Sequence, residues 1–400
     1  MNILFFDKDL GPGGIAVVTE SLAKAFHERG HNTSVFVLSL PDDKLVSRLP
    51  KDVPLTVGHG IKVSSENVDQ LHQLLVDRKI DVVINQQGLN PVPITVLTKA
   101  HEGLNVKVIS VYHNQVNSNG RIVTVQQQIR ACHNPLLLPL LRLKLRLFTW
   151  VTARSMRNVY NKSDVFEVLS PSFVPLFSEY TGIDHPDKLR VQTNPVTVTL
   201  PSEPIAPEKK EKEIIFVGRL DNMHKCPYRI IETWKLLETK YPDWRVTLVG
   251  DGPDRAGLEA LAKQYDLKRL TFAGFQNPLP YYQRASILML TSDIEGFPLV
   301  LAECMSYGVI PVVYASYPAV YDIVKDQENG IIIPYDKKGY PTEDAAKRLS
   351  KLLDDEALRT QMSQNAVKES KKYSVDSICE QWEETFKALT DGTDNTDSAC

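Results

Sequence analysis

Short apolar runs alternate with longer amphipathic stretches along almost the whole chain. Ile3–Phe6, Ser34–Leu38, Asp81–Ile84, Lys107–Tyr112 and Val165–Leu169 read as buried strands, and Ile15–Arg29, Leu71–Arg78 and Pro93–Glu102 carry helical spacing between them. A second series follows at Ile214–Val217, Arg245–Val249, Leu270–Ala273, Ile287–Leu290, Ile310–Val313 and Gly330–Pro334. Its intervening segments, Tyr228–Thr239, Arg255–Tyr265, Leu299–Tyr307 and Ala319–Val324, are again helical in period. Strands that are apolar on both faces and separated by helices imply parallel sheets covered on both sides. The predicted fold class is α/β, with two doubly wound Rossmann-like domains.

The seam between the two series runs from Pro195 to Lys212. It holds Pro195, Pro201, Pro204 and Pro207 and then the charged run Glu208–Glu213, so it reads as a linker. The expected organisation is a first domain over 1–197 and a second over 198–373. A helix at 374–390, patterned over Val375–Leu389, is expected to return to the first domain, and the polar tail 391–400 is expected to be disordered. Doubly wound sheets bind ligands at the carboxyl ends of their strands, so the two domains are expected to face each other across a cleft.

Composition narrows the class. The chain has 400 residues, 42% hydrophobic and 24% charged, with a net charge of −3, which argues against a general nucleic-acid binder. The charge is uneven. Residues 1–200 carry 21 Lys and Arg against 17 Asp and Glu, whereas 201–400 carry 25 against 32. From Gly103 to Ser163 there are nine basic residues and no acidic one. The five cysteines are scattered without a CxxC pair, which suggests a reducing compartment and no zinc knuckle. The apolar run at Met1–Phe6 is too short for a signal-peptide core, and no run of about 18 apolar residues exists to cross a bilayer.

Four places carry candidate chemistry. In Ser292–Gly308 a strand ends and a helix opens near Leu299, which sets the backbone N–H groups of Gly296, Phe297 and Leu299 at a helix N-terminus suited to an anion. Glu295 precedes that helix and Glu303 lies one turn inside it. Two carboxylates near an anion site are unfavourable unless they grip hydroxyls; the alternative is that they only complement the helix dipole. Phe216-Val-Gly218-Arg219-Leu220, with Lys225 six residues past Arg219, places two cations beyond a strand end, where they can clamp a pyrophosphate or merely meet solvent. Gly11-Pro-Gly13-Gly14 follows the first strand and admits close backbone approach, though it is not the GxGxxG of a dinucleotide site. His113 ends a first-domain strand, either facing the ligand or satisfied in the core. The turns at Gly250–Pro253 and Ala273-Gly274-Phe275 also follow strands. Asp7-Lys-Asp9 is formally DxD, a pattern that arises by chance in a chain this rich in Asp.

Together these residues resemble the retaining glycosyltransferases of family 4, which have the GT-B fold. The likeness lies in Gly13-Gly14, His113, Gly218-Arg219-Leu220 with Lys225, Gly250–Pro253, Phe272-Ala-Gly274, and Glu295 with Glu303 as E-x7-E. The resemblance implies that Arg219 and Lys225 hold the donor diphosphate and offset charge on the leaving group. It implies that Glu303 bonds the ribose, that Glu295 and the backbone of Gly296, Phe297 and Leu299 hold the transferred sugar, and that Gly13, Gly14, Gly218 and Gly274 approach the donor. His113 would contact the donor sugar. Retention is implied by front-face attack, with no enzymic carboxylate nucleophile. No cofactor and no metal are expected, the nucleotide-sugar being a co-substrate, commonly UDP-linked in similar enzymes. Two departures stand out: Cys226 replaces a frequent Gly after the Lys, and Tyr314–Tyr321 replaces a usual Gly-Gly-x-Pro-Glu run.

The acid-free block falls on the presumed acceptor side. If Leu140–Asn158 is one helix, Arg142, Arg146 and Arg157 share a side, and Leu140, Leu143, Leu147, Phe148 and Val151 spread over an adjoining face, with Lys144 off the basic side. A basic amphipathic helix suits an anionic membrane surface, so residues 134–158 are expected to dock the protein where a lipid-linked saccharide is presented; the alternative is a packed helix with a solvated basic face. The expectation is a cytoplasmic, peripherally bound transferase of surface-glycan biosynthesis (O-antigen, capsule or lipopolysaccharide). It would move a hexose or N-acetylhexosamine to a saccharide acceptor. A soluble transferase on a small or storage-glucan acceptor, or a catalytically silent nucleotide-sugar-binding subunit, are the alternatives.

Overall fold

The computed structural model describes residues 1–11, 13–41, 49–203 and 206–390. The chain divides into two compact units, Met1–Thr197 with Ser374–Cys400, and Val198–Tyr373. The polar tail at 391–400 and part of the proline-rich seam, 204–205, lie outside the described residues.

The first unit runs β1 (Asn2–Asp9), α1 (Gly14–Glu28), β2 (Asn32–Ser39), β3 (Leu55–Val57), α2 (Ser65–Asp77), β4 (Val82–Asn85), α3 (Pro91–Ala100), β5 (Lys107–Tyr112), α4 (Gly120–Ala131), α5 (Leu138–Asn161), β6 (Val165–Val168), α6 (Phe173–Thr181) and β7 (Leu189–Val191). Its seven strands are all parallel in the order β3-β2-β1-β4-β5-β6-β7. The central strands are buried on both faces, as their continuous apolar sequences require. Local chemistry sets several boundaries. The Ser64 side chain accepts from Asn67 N and Asn90 caps α3 ahead of Pro91, so both helices begin before the apolar periodicity alone would start them. Asn119 caps α4 in the same way.

The second unit runs β8 (Glu211–Val217), α7 (Tyr228–Lys235), β9 (Arg245–Val249), α8 (Arg255–Gln264), β10 (Leu270–Gly274), α9 (Leu279–Arg284), β11 (Ala285–Leu290), α10 (Leu299–Ser306), β12 (Ile310–Tyr314), α11 (Val320–Ile323), β13 (Ile331–Ile333), α12 (Thr342–Asp354) and α13 (Glu356–Ser370). The sheet order is β10-β9-β8-β11-β12-β13, again parallel. One expectation is corrected here. Glu211 to Glu213 belong to β8 and not to a linker, because Glu213 is fully buried and accepts from Arg284, Arg245 and Thr247. A paired buried carboxylate reads as linker charge in sequence and is strand in fact.

The last helix, α14 (Val375–Thr390), packs on α1 in the first unit. Trp382 and Phe386 meet Phe26, and Glu383 takes a bidentate pair from Arg29 at 2.8 and 3.0 Å.

Strand order reverses in each sheet at one place: between β1 and β4 in the first unit, and between β8 and β11 in the second. These are the topological switch points at which doubly wound sheets take ligands.

Candidate functional site

In the second unit, the loops after β8 and β11 flank the switch point and are tied together. Lys225 Nζ lies 2.5 Å from Glu295 Oε1, which also accepts from the Ser292 hydroxyl at 2.6 Å. Asp293 N donates to His224 O at 2.7 Å, and the Thr291 hydroxyl to Cys226 O at 3.0 Å. The Lys225 and Glu295 side chains are 24% and 11% exposed, so the pair is sheltered but reachable. The two residues singled out separately in the sequence thus form one contact.

Asp221 organises the first of these loops. Its carboxylate takes Arg219 Nη2 at 2.5 Å, His224 Nδ1 at 2.8 Å and Met223 N at 2.7 Å. These bonds outweigh the cost of its burial and hold the carboxyl below its ordinary range. Arg219 keeps a mostly exposed side chain, so its remaining donors face outward. Cys226 adopts φ +50°, in the left-handed region. Gly250 is required by space: its φ is +142°, and a Cβ there would come within 1.8 Å of Gly218 O. Gly250 N donates to Gly274 O at 2.8 Å, joining the turn after β9 to the end of β10.

Glu303, the fifth residue of α10, is buried, and its Oε2 accepts from the Tyr282 hydroxyl at 3.0 Å. Burial and then the adjacent carboxylate push the Tyr282 phenol well up, so it stays a proton donor. Gly296 and Phe297 precede Pro298, the N-cap of α10; the Phe297 side chain is buried against the Tyr373 ring, which leaves its backbone as the part able to face a ligand. Within the run Tyr314–Tyr321, Tyr317 is buried beside Glu295 with no partner for its hydroxyl among the described residues, and Ser316 bonds Ser292 O. A buried Arg229 braces the same loop, bonding Asp293 Oδ1 and Thr291 O at 2.7 Å each, with the Tyr228, Tyr314 and Tyr340 rings around it. Sequence reading missed Asp221, Arg229, Tyr282 and Tyr317. No spacing pattern marks them, although the unusual tyrosine run did mark a departure.

In the first unit, polar groups gather at the carboxyl ends of β1, β4 and β5. His113 Nε2 meets Gln86 Oε1 at 2.6 Å, while His113 Nδ1 and Gln86 Nε2 are buried without a partner among the described residues. Burial lowers the His113 imidazole to about 4 and keeps it neutral. Gln87 Nε2 donates to Asp7 Oδ1 at 2.6 Å, and burial, the largest influence, raises Asp7 to about 7. Asp9 instead pairs with Lys8 at 2.8 Å, so Asp7 and Asp9 do not share a site. Gly13 caps α1 just beyond this sheet end, in extended backbone that any residue adopts, and Gly14 is the first residue of that helix. Among the described residues no cluster of His, Cys, Asp or Glu could hold a metal ion.

Arg142, Arg146 and Arg157 all lie on α5. Among the described residues no helix is long and apolar enough to cross a membrane.

Comparison with known proteins bears on both units. Residues 12–200 match the family described as Glycosyltransferase Family 4, and residues 201–369 match Glycosyl transferases group 1. An uncharacterized glycosyltransferase of Haemophilus influenzae is 33% identical over 191 residues, 47% of this chain and 52% of that protein. A Campylobacter jejuni α-1,4-N-acetyl-D-galactosaminyltransferase, named for an undecaprenol-diphosphate-linked glycan, is 30% identical over 176 residues, 44% of this chain and 47% of that one. The chain thus spans about half the length of these curated relatives. Among solved structures, the Anabaena protein HepE in complex with UDP superposes with a TM-score of 0.73 at 18% identity, covering 97% of this chain and 100% of that one. The lipopolysaccharide outer core galactosyltransferase WaaB superposes at 0.68 with 16% identity, covering 98% and 100%. The fold of the chain is GT-B.

Proposed function

We propose that this GT-B chain, whose two halves match glycosyltransferase families, is a retaining enzyme that moves a hexose or N-acetylhexosamine from a nucleotide-sugar to a saccharide acceptor. The observation that carries this reading is the Lys225–Glu295 pair at the second unit's switch point, with Arg219 and the Glu303–Tyr282 pair flanking it. Arg219 and Lys225 would bind the donor diphosphate and neutralise the charge that grows as the sugar–phosphate bond breaks. Glu303 would accept from ribose hydroxyls. Glu295 would accept from a hydroxyl of the sugar, sharing Lys225 with the phosphate. His113, neutral and with Nδ1 unpartnered among the described residues, would offer a hydrogen bond to the donor sugar. In front-face attack the acceptor hydroxyl bonds the anomeric carbon while the departing phosphate oxygen takes its proton, so no enzymic nucleophile and no metal are needed.

The UDP bound in the HepE structure and the undecaprenol-linked glycan named for the Campylobacter enzyme favour a UDP-sugar donor and a lipid-linked acceptor. The protein would then act at the cytoplasmic face of a membrane in surface-glycan synthesis. The test is nucleotide release from a panel of UDP- and GDP-sugars, with and without lipid-linked acceptors. The reading expects acceptor-stimulated release that Glu295→Ala and Arg219→Ala each abolish. Near-normal turnover in either variant overturns the assigned roles.

A further inference from the structure

Helix α5 shows two unlike halves. Its buried residues are Thr152, Ala153, Met156, Val159 and Tyr160, all in the C-terminal part, whereas Leu138–Val151 contains no buried residue. This leading half is nonetheless rich in large apolar side chains. Leu140, Leu143, Leu147, Trp150 and Val151 are exposed, Leu143 at 63% and Trp150 at 55%, and Leu136 just before the helix reaches 81%.

At about 100° per residue those five side chains fall within an arc of about 100°. Thr152, Met156 and Val159 lie on the opposite side, so the stripe turns away from the body of the first unit. Arg146 and Arg157 follow one edge, with Arg142 farther round on the same side, and Lys144 sits at the other edge, which explains why Lys144 stands apart from those three. Arg154 continues the line of the stripe one turn beyond Trp150, its guanidinium over that ring. Among the described residues none of these five pairs with a carboxylate, and no acidic residue occurs between Gly103 and Ser163 to supply one.

We propose that this face of α5, with Leu136 and Leu137 ahead of it, inserts into the interface of an anionic bilayer. An outward apolar stripe with cations along both edges suits a surface that has hydrocarbon below and negative headgroups beside it. A second copy of this chain would offer the stripe apolar cover but would oppose like charges along its edges. The inference extends the lipid-linked acceptor reading and draws its purpose from it. Its test uses no substrate, so a failure here leaves the donor-site assignment untouched.

The full chain is mixed with phosphatidylcholine vesicles, with and without phosphatidylglycerol, at low and high salt, and scored by co-sedimentation and tryptophan emission. Of the four tryptophans Trp234, Trp244 and Trp382 are buried, so a blue shift on binding reports Trp150. The inference expects binding to phosphatidylglycerol vesicles with a blue shift that Trp150→Phe removes while binding persists. Arg142→Ala with Arg146→Ala should weaken binding roughly 25-fold, at about fivefold per cation. Leu143→Glu with Leu147→Glu should abolish it with the thermal midpoint unchanged. No binding, equal binding to neutral and anionic vesicles, or a stripe that Leu143→Glu shows instead to hold two copies together would overturn it.

Discussion

Lys225 and Glu295, 70 residues apart, meet at 2.5 Å across the loops that follow two adjacent strands. Each side chain fixes the other where a donor diphosphate and its sugar would lie side by side. If Lys225 meets the leaving diphosphate as proposed, Lys225→Ala should lower kcat for sugar transfer roughly 100- to 1,000-fold. Glu295→Gln keeps a group able to accept from Ser292 but lacks the charge that orients Lys225. Steady-state kinetics of both variants check this, and an unchanged kcat in either counts against the pair.

In the proposed site Tyr282 would act through Glu303 and not on the ligand itself. Tyr282→Phe takes away the hydroxyl that donates to Glu303 Oε2 at 3.0 Å. The expected result is a KM for the nucleotide-sugar raised several-fold, with kcat little changed and a stability loss of about 1 kcal/mol. A fall in kcat at constant KM would place Tyr282 differently.

Arg229 is a buried cation committed to Asp293 and Thr291 O. Arg229→Met leaves the Asp293 carboxylate without that partner and should cost about 3 kcal/mol in urea unfolding. Adding Asp293→Asn should restore part of the loss, because the unpaired charge is then gone. A double variant as unstable as the sum of the two single variants would contradict this.

Asp7 makes stability depend on pH in the less usual direction for a carboxyl group. Burial raises it from 3.8 to about 7, so the folded state holds a proton that the unfolded state releases. Stability should therefore fall as pH rises from about 4 and level off above about 7. Asp7→Asn keeps an acceptor for Gln87 and Lys8 N without the titration. It should stabilise by up to about 4 kcal/mol at pH 8 and by nearly nothing at pH 4. A benefit independent of pH would assign the effect to something other than ionisation.

The parallel sheets were legible in sequence because strands buried on both faces must be continuously apolar, and Ile3–Phe6 or Ile214–Val217 cannot be much else. The three-residue strands Leu55–Val57 and Leu189–Val191 were not, since they lie at the ends of the sheet and three of their six residues, Val57, Arg190 and Val191, are exposed. Glu211–Glu213 looked like linker because charge shows in sequence and its buried partners, Arg245 and Arg284, do not. The candidate site was legible where backbone chemistry dictates residue type, as at Gly218 and Gly250. Asp221, Tyr282 and Tyr317 acquire meaning only from strands that become neighbours after folding. On α5, composition announced the cations, but only the fold shows that the leucine stripe points outward.

Binding of UDP and of GDP, by isothermal titration calorimetry on the wild-type chain and on the Arg219→Ala/Lys225→Ala variant, tests the donor-site assignment most directly. The account predicts that the wild type binds at least one of the two, and that the double variant binds it at least 30-fold more weakly, the loss of about 2 kcal/mol expected when two charge-assisted contacts to phosphate go. Equal affinity in the two proteins, or no binding of either nucleotide to the wild type, would contradict it.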